Sequence, residues 1–311
     1  MRQLRRSPLL VAVLGLLVMA ATTPGAEAFI PAAPTCDSVT PCECGDRVIG
    51  NKMLNPLVDP VCTDVCADNG LFVAGGVTLD LGGCIITGDD MGADVGIQIE
   101  GGANNVVIRN GAVTGFGTGI ATWTTTAGST LADLRIFDNG AGIHISASDS
   151  TVRNSVLQRN QGHCLAVSGA ENVVSANRCE DSGGRGVVVQ GPLNAVTGNV
   201  VMRSFLEGFD IGGSQSAVSQ NRSSDNFGEG FRVRGSGHTV TLNYSLRNED
   251  SGYVVEATAS LFDRNRGDYN VGWGILDTTS GTGTGGTANT YSNNRCTGNL
   301  LGKSFPSGLC R

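Results

Sequence analysis

The sequence predicts an all-β solenoid of short parallel strands that turns once every 22 residues, and three columns of residues carry that prediction. Glycine, with one cysteine, recurs at Gly142, Cys164, Gly186, Gly208, Gly230, Gly252 and Gly274, and Gly96 and Gly119 precede it at 23-residue steps. A second column is Val152, Val174, Val196, Val218, Val240 and Phe262; a third is Asn177, Asn199, Asn221, Asn243 and Asn265. Columns that keep step over residues 142–274 define a repeat protein, in which each repeat buries its apolar face only against its neighbours.

Residues 1–28 are expected to be a secretory signal peptide. Arg2, Arg5 and Arg6 precede an apolar run from Leu9 to Ala21, and Ala26-Glu27-Ala28 offers small residues for cleavage. That run is too short to span a bilayer and no later run approaches the needed length, so no membrane insertion is expected. Residues 29–74 are expected to cap the solenoid, with Cys36, Cys42, Cys44, Cys62 and Cys66 stapled to one another and to Cys84 in a pairing that spacing leaves open. A solenoid exposes unpaired sheet edges at both ends, which is why caps are needed.

The repeats occupy 75–278, about 9–10 coils. Each opens with a glycine and an alternating run such as Gly186-Val187-Val188-Val189 or Gly208-Phe209-Asp210-Ile211. Such alternation reads as a strand whose first and third residues after the glycine face inward. A Gly/Ser/Asn-rich turn follows, as at 212–216, and places Ser216 in a turn. No helical spacing occurs, and there are too few leucines per repeat for a leucine-rich repeat. Twenty-two residues suit one coil of three short strands. The inward asparagines are expected to stack as a hydrogen-bonded ladder, because an amide offers two donors and two acceptors. With gaps of one residue the column extends through Asn154, Asp133 and Asn110. Asn221-Arg222-Ser223 and Asn243-Tyr244-Ser245 match the glycosylation pattern, but their asparagines belong to this inward column. Residues 279–311 form the last coil and a C-terminal cap closed by a Cys296–Cys310 disulfide. Pairing of Cys164 with Cys179 depends on the width of the coil.

With these columns, residues 75–300 resemble the right-handed parallel β-helix repeat proteins of the pectate-lyase-like superfamily. The segment Gly76-Val77-Thr78-Leu79-Asp80-Leu81-Gly82-Gly83-Cys84-Ile85-Ile86-Thr87-Gly88 is similar to the first coil of many secreted members. The resemblance implies a right-handed helix. It is poor for function, since the same coils serve lyases, glycosidases, epimerases, metal-delivery accessories and non-enzymatic surface proteins.

Charge narrows the partners. The chain carries a net −7, and removing three Arg and one Glu with residues 1–28 makes it −9, which disfavours nucleic acid and anionic membranes. All ten cysteines follow residue 28, so disulfides and a secreted or periplasmic location are expected. A monomer is expected. Metal ligation by Cys42, Cys44, Cys62 and Cys66 does not fit zinc-ribbon spacing and has no nearby histidine.

The first strands stack into one parallel sheet. Its outward residues two after each glycine include His144, Ala166, Val188, Asp210, Arg232 and Val254; two further on come Arg234 and Glu256; just before the glycines come His163, Arg185, Glu207, Glu229 and Trp273. Asp210 and Arg232 are neighbours, Glu207 sits on Glu229, and Arg185 and Arg234 flank them. Asp210 and Arg232 are therefore the candidate catalytic residues, with Arg185, Glu207, Glu229 and Arg234 as candidate substrate-binding residues. Paired carboxylates can split their pKa values into an acid and a base, or can hold Ca²⁺. An arginine can clamp a uronate carboxylate. Lyases and epimerases of the resembling superfamily place their residues over this same sheet, which implies an extracellular polysaccharide as partner. Against this stands a surface ion pair of Asp210 with Arg232 and nothing more. Gly208-Phe209-Asp210 is similar to part of the mannuronan-epimerase run, without its Tyr, Pro, His and second Asp. The alternatives are a non-catalytic envelope or surface-structural protein and, lower, a periplasmic metal-delivery accessory, for which Met and His are few.

Two other patterns complete the reading. Arg159, Asp181, Arg203, Asp225 and Arg247 alternate in sign at 22-residue steps, a device that favours correct stacking of coils. His144, His163 and His238 lie in different columns and are expected at exposed turns or strands, and Trp123 and Trp273 could stack on sugar rings.

Overall fold

Strands of only two to eight residues suffice where each pairs on both sides with the coil before and the coil after. The computed structural model describes residues 34–90, 92–122 and 126–311. The expected signal peptide and the first residues of the N-terminal cap lie outside them. Every pairing is parallel, and most coils contribute one strand to each of three stacks, while in two coils a single strand, Val107–Thr114 or Thr130–Phe137, runs through both the second and the third. The first strands, such as Leu165–Ser168, Val187–Gln190, Phe209–Ile211, Phe231–Ser236 and Tyr253–Thr258, form a 14-stranded sheet. The second strands (Val173–Ser175, Ala195–Thr197, Ala217–Ser219, Thr239–Thr241) and the third (Arg178–Glu180, Val200–Met202, Arg222–Ser224, Tyr244–Leu246) stack in the same order. Register follows the 22-residue columns: Val188 pairs with Asp210, Asp210 with Arg232 and Arg232 with Val254. Thr35–Cys36, Asp46–Val48 and Leu71–Val73 already add strands to the first sheet within the N-terminal cap region. Among the described residues no helix is long and apolar enough to cross a membrane.

The alternation in sequence becomes inside and outside. Phe209, Ile211, Phe231, Val233, Tyr253 and Val255 are fully buried, and Phe209, Phe231 and Tyr253 stack with ring centroids 4.7 and 4.9 Å apart. Glycine opens the first strand because there is no room for a Cβ. At Gly208 it would stand 2.0 Å from Ser223 Oγ and 2.8 Å from Gly230 O. Cys164 tolerates its Cβ in that column because the space is shared by a bond: Cys164–Cys179 has an S–S length of 2.03 Å and a Cα separation of 5.9 Å. The coil is therefore narrow enough for the two to pair. The remaining bridges are Cys36–Cys42, Cys44–Cys66, Cys62–Cys84 and Cys296–Cys310. Two of them tie the N-terminal cap internally, one ties it to the first coil, and the last closes the C-terminal end.

Three polar ladders line the turns, where the sequence had shown one. In the asparagine ladder each Oδ1 accepts from the backbone N–H and Nδ2 of the asparagine one coil earlier. Asn221 Oδ1 takes Asn199 N at 2.9 Å and Asn199 Nδ2 at 3.0 Å. Its Nδ2 donates to Val196 O at 2.8 Å and Asn243 Oδ1 at 3.0 Å. The glycosylation-like asparagines Asn221 and Asn243 are both about 1% exposed. Upward, the ladder continues through Ser155, not Asn154. Asn154, Asp133 and Asn110 are exposed and adopt φ of 53°, 56° and 61°. They are the left-handed turn residues just before the inward position, a conformation Asn and Asp tolerate. A second ladder runs Asn172, Asn194, Ser216, His238, Ser260, Asn289 and a third Asn226, Asn248, Asn270, Asn299. Ser216 and His238 are thus buried ladder members, each about 1% exposed, where exposed turn positions were expected. His238 Nδ1 accepts from Ser216 N at 3.3 Å and Nε2 faces Arg234 O at 2.9 Å, so this imidazole replaces an amide.

The alternating charges sit on the turn between the third strand and the next first strand. Arg159, Arg203 and Arg247 each grip the aspartate one coil earlier through two nitrogens: Asp138, Asp181 and Asp225. All six residues have φ between 51° and 58°. The stack is a series of discrete pairs, not an evenly shared column.

Candidate functional site

The outward face of the first sheet brings the six predicted site residues together across the coils that begin at Gly186, Gly208 and Gly230. Adjacent coils lie about 4.8 Å apart, so columns of this face become neighbours. The pairing within the cluster differs from the expectation. Asp210 and Arg232 are register neighbours but do not pair with each other. Asp210 is held by Arg234 Nη2 at 2.6 and 2.7 Å, and Arg185 Nε lies 3.4 Å away. Arg232 reaches Glu256 through Nη2 at 2.9 Å and Glu207 through Nη1 at 3.4 Å. Arg185 Nε donates to Glu207 at 2.8 Å.

Burial sets two of the carboxylates beneath the arginines. The side chains of Asp210 and Glu207 are 1% and 7% exposed, whereas those of Arg185, Arg232 and Arg234 are 31%, 31% and 40% exposed. Asp210 and Glu207 form a floor that the guanidinium groups cover, while Glu256 lies at the surface beside Arg232. Asp210 points away from the core, yet it is sealed by two arginines, so it positions Arg234 and Arg185 and does not meet solvent. It is not a silent surface site, because removing its charge takes away the carboxylate partner of Arg234, while Arg185 keeps Glu207.

Two carboxylates one coil apart titrate in opposite directions. Burial pushes Glu207 up, but its own backbone N–H, Arg185 and Arg232 outweigh that and hold it below the ordinary carboxylate range. Glu229 is pushed up by burial, then by the negative charges of Glu207 and Asp250, against its own backbone N–H and Arg232. The Arg232 guanidinium is held still more firmly charged by Glu256. His163, just before Cys164, is half-buried. Burial first, then Arg185 and His144, push its imidazole below its ordinary value against Asp210 and Glu207, and its Nδ1 accepts the Arg185 backbone N–H at 3.1 Å. His163 thereby borders the cluster, in keeping with its place in the column of Arg185, Glu207 and Glu229; His144 is exposed. Trp273 is half-buried against Phe305, with ring centroids 5.7 Å apart, and so is no open platform. Trp123 lies outside the described residues.

The sequence reading missed two features. Glu256, noted only as an outward residue, is the main partner of Arg232; the signal was its place one coil and two residues further along the same face. Phe205 and Phe227 were not noticed at all. They share a column on the turn before the first strand, stack with centroids 5.4 Å apart and planes within 5°, and are 58% and 59% exposed. Their 22-residue spacing was visible in the sequence.

A single-stranded parallel β-helix with capped ends, three turn ladders and an arginine-covered acidic floor on its first sheet is the class of protein defined by these observations. The family described as periplasmic copper-binding protein (NosD) matches residues 82–271, and the chain belongs to that family. No curated protein matches significantly. Among solved structures, the chain is similar to the A-module of the mannuronan C-5 epimerase AlgE6 of Azotobacter vinelandii, at 13% identity and a TM-score of 0.52 over 88% of this chain and 87% of that one. It is similar to the periplasmic alginate epimerase AlgG at 13% identity and a TM-score of 0.55, over 87% and 74% of the two chains. An alginate lyase from Paenibacillus sp. str. FPU-7 gives 13% identity and a TM-score of 0.50, over 84% and 96%. At these identities the likeness is one of fold.

The family description raises copper, and the donors present do not fit it. All five disulfides are formed and no free thiol remains among the described residues. No three His, Cys, Asp or Glu side chains of the described residues are placed to share an ion. The Met202 thioether already accepts from Arg203 Nη1 at 3.1 Å. Copper sites draw on thiolate, thioether and imidazole.

Proposed function

We propose that this chain is an exported β-helix that binds an acidic extracellular polysaccharide along the outward face of its first sheet. The observation that carries this reading is the layering of charge. In a chain of net −7, solvent meets three guanidinium groups there, while two of their partners lie beneath. Arginine presents a planar fork that matches a carboxylate in two parallel hydrogen bonds. The buried floor fixes each fork in advance, which lowers the ordering cost of binding. Arg232 is the residue assigned to orient a uronate carboxylate, since its partner Glu256 is itself about a third exposed and can yield. Glu229, held above the ordinary carboxylate range by burial and by Glu207, is the residue assigned to donate a proton. The oxygens of Asp210 and Glu207 are taken up by arginine, which argues against Ca²⁺ as part of the site. Ten exported cysteines in five disulfides suit an oxidising compartment.

A second reading has its own observation. Every arginine of the cluster already has a carboxylate partner, which is also what a purely structural interlock between coils would show. Affinity electrophoresis on polygalacturonate and alginate gels separates the two. The binding reading predicts retardation of the parent, insensitivity to a chelator, and loss of retardation in Arg232→Gln. Equal mobility of both proteins in both gels would leave only the interlock. A rise in ultraviolet absorbance from an unsaturated product would add lyase turnover, which Glu229→Gln should then abolish.

A further inference from the structure

Beside the arginine cluster lies an exposed surface that the charges do not explain. Phe205 and Phe227 occupy the same position in successive coils, two residues before Glu207 and Glu229. The coils that supply the carboxylate pair therefore also supply the ring pair. The rings are nearly parallel and both more than half exposed, with Leu206 beside them at 39%. In the buried stack of Phe209, Phe231 and Tyr253 the rings are covered by the wall of the solenoid. Here no described residue covers them, and contiguous exposed apolar surface marks a contact site.

The surface is grooved. A depression of about 410 Å³ takes in Phe205, Phe227 and Gly183, with Asp181, Arg203, Asp225 and Glu249 as its charged lining. Gly183 stands one coil before Phe205 in the same column and adds no side chain, so the stack stops at an empty rung. That rung cannot be filled from within, since a Cβ on Gly183 would stand 2.1 Å from Gln161 O. One wall of the groove is the pair Asp181–Arg203, bound through two hydrogen bonds of 2.6 and 3.0 Å. With Asp225 and Glu249 the groove carries three carboxylates to one guanidinium, so it offers mostly acceptors to the hydroxyls of a ring and turns that ring's carboxylate outward, toward the arginines.

We infer that the Phe205–Phe227 groove is a subsite for one or two sugar residues of a uronate oligosaccharide. The apolar C–H face of a ring stacks on Phe205 in the rung left by Gly183, and its hydroxyls meet the Asp181–Arg203 wall. Because Phe205 and Glu207 are two residues apart, the strand then crosses onto the sheet, where the arginines receive its carboxylates. The subsite thus selects polymers whose rings carry both an apolar face and a carboxylate. This inference rests on the polysaccharide reading of the arginine cluster.

Calorimetric titration with oligogalacturonate and oligoalginate hexamers, and with neutral maltohexaose, tests it. The variants are Phe205→Ala/Phe227→Ala, Phe205→Tyr/Phe227→Tyr and Arg232→Gln, with sedimentation velocity on each. The aromatic side chains are exposed, so folding of all three should persist. The alanine pair should weaken acidic hexamer binding about tenfold or more, the tyrosine pair should stay near the parent, and maltohexaose should bind the parent more weakly than the acidic hexamers. If the alanine pair binds like the parent while Arg232→Gln does not, the subsite is refuted and the arginine reading survives. If the parent sediments as a dimer that the alanine pair dissolves, the face is an interface between copies and the subsite is refuted. If the parent binds none of the hexamers, both readings fall.

Discussion

Replacing Asn221 by alanine should destabilise the protein by about 2–4 kcal/mol, because the amide serves four groups at once. Its Oδ1 is the acceptor for the backbone N–H of Asn199 at 2.9 Å and for Asn199 Nδ2 at 3.0 Å. Its Nδ2 reaches Val196 O and Asn243 Oδ1. Three of these groups keep another partner. Asn199 Nδ2 still donates to Val174 O, Asn243 Oδ1 still accepts Asn221 N, and Val196 O remains in the strand ladder. The Asn199 N–H is stranded, and water cannot reach it, since Asn199 is fully buried. One orphaned buried donor costs about 1–3 kcal/mol, and the weakened bonds add to it. For a chain of this size that lowers the melting temperature by several degrees. Thermal unfolding followed by circular dichroism is the assay, with Thr239→Ala on the exposed side of a neighbouring coil as control. Equal melting temperatures for the two variants would refute the ladder as a stabilising element.

Further expectations follow from the same structure. Ser216→Ala should cost about 1–3 kcal/mol, since Ser216 Oγ accepts the buried Asn194 N–H at 3.2 Å; a neutral result in the same melt would remove Ser216 from the second ladder. Non-reducing peptide mapping should recover Cys164 linked to Cys179, and Cys164→Gly/Cys179→Val should fold with a melting temperature lowered by the loss of a 15-residue loop closure, about 3 kcal/mol in the chain-entropy model; free thiols at both positions would contradict the structure. Glu229 binds its proton more tightly folded than unfolded, so its contribution to stability is complete below its ordinary value of 4.5 and is lost as pH rises through the raised value. Glu229→Gln should therefore gain stability relative to the parent at neutral pH and lose that advantage below pH 4.5; a difference independent of pH would refute the shift.

The coil was legible because side chains are constrained every 22 residues by the same neighbours. Glycine at 186, 208 and 230 reports a wall too close for a Cβ, and inward valines report a narrow apolar core. The C-terminal disulfide was legible for a related reason, two late cysteines at the end that needs closing. Side chains with reach were harder. The sequence places Asp210 beside Arg232, and the backbones are indeed register partners, but a guanidinium spans more than one rung. Arg234 therefore takes Asp210, and Arg232 passes to Glu256. The burial of Asp210 is the result of that exchange and has no signature in a column of letters. Ser216 and His238 were misplaced for a simpler cause. A ladder of mixed Asn, Ser and His keeps the same geometry without keeping the same residue, so only the all-asparagine ladder stood out. Asn154, Asp133 and Asn110 misled in the opposite way, since asparagine and aspartate are favoured both in the ladder and at the left-handed position beside it.

The claim that the first sheet offers arginines to an acidic polymer is tested most directly by one variant. Arg232→Gln removes a guanidinium that is about a third exposed and leaves the Glu207 carboxylate still bonded to Arg185 at 2.8 Å, so the fold should be little affected. Its affinity for oligogalacturonate and oligoalginate hexamers should be measured against the parent at two salt concentrations. The account predicts that the parent binds, that binding weakens with salt, and that the variant loses both affinity and part of the salt dependence. A variant that binds as the parent does, with the same response to salt, would contradict it.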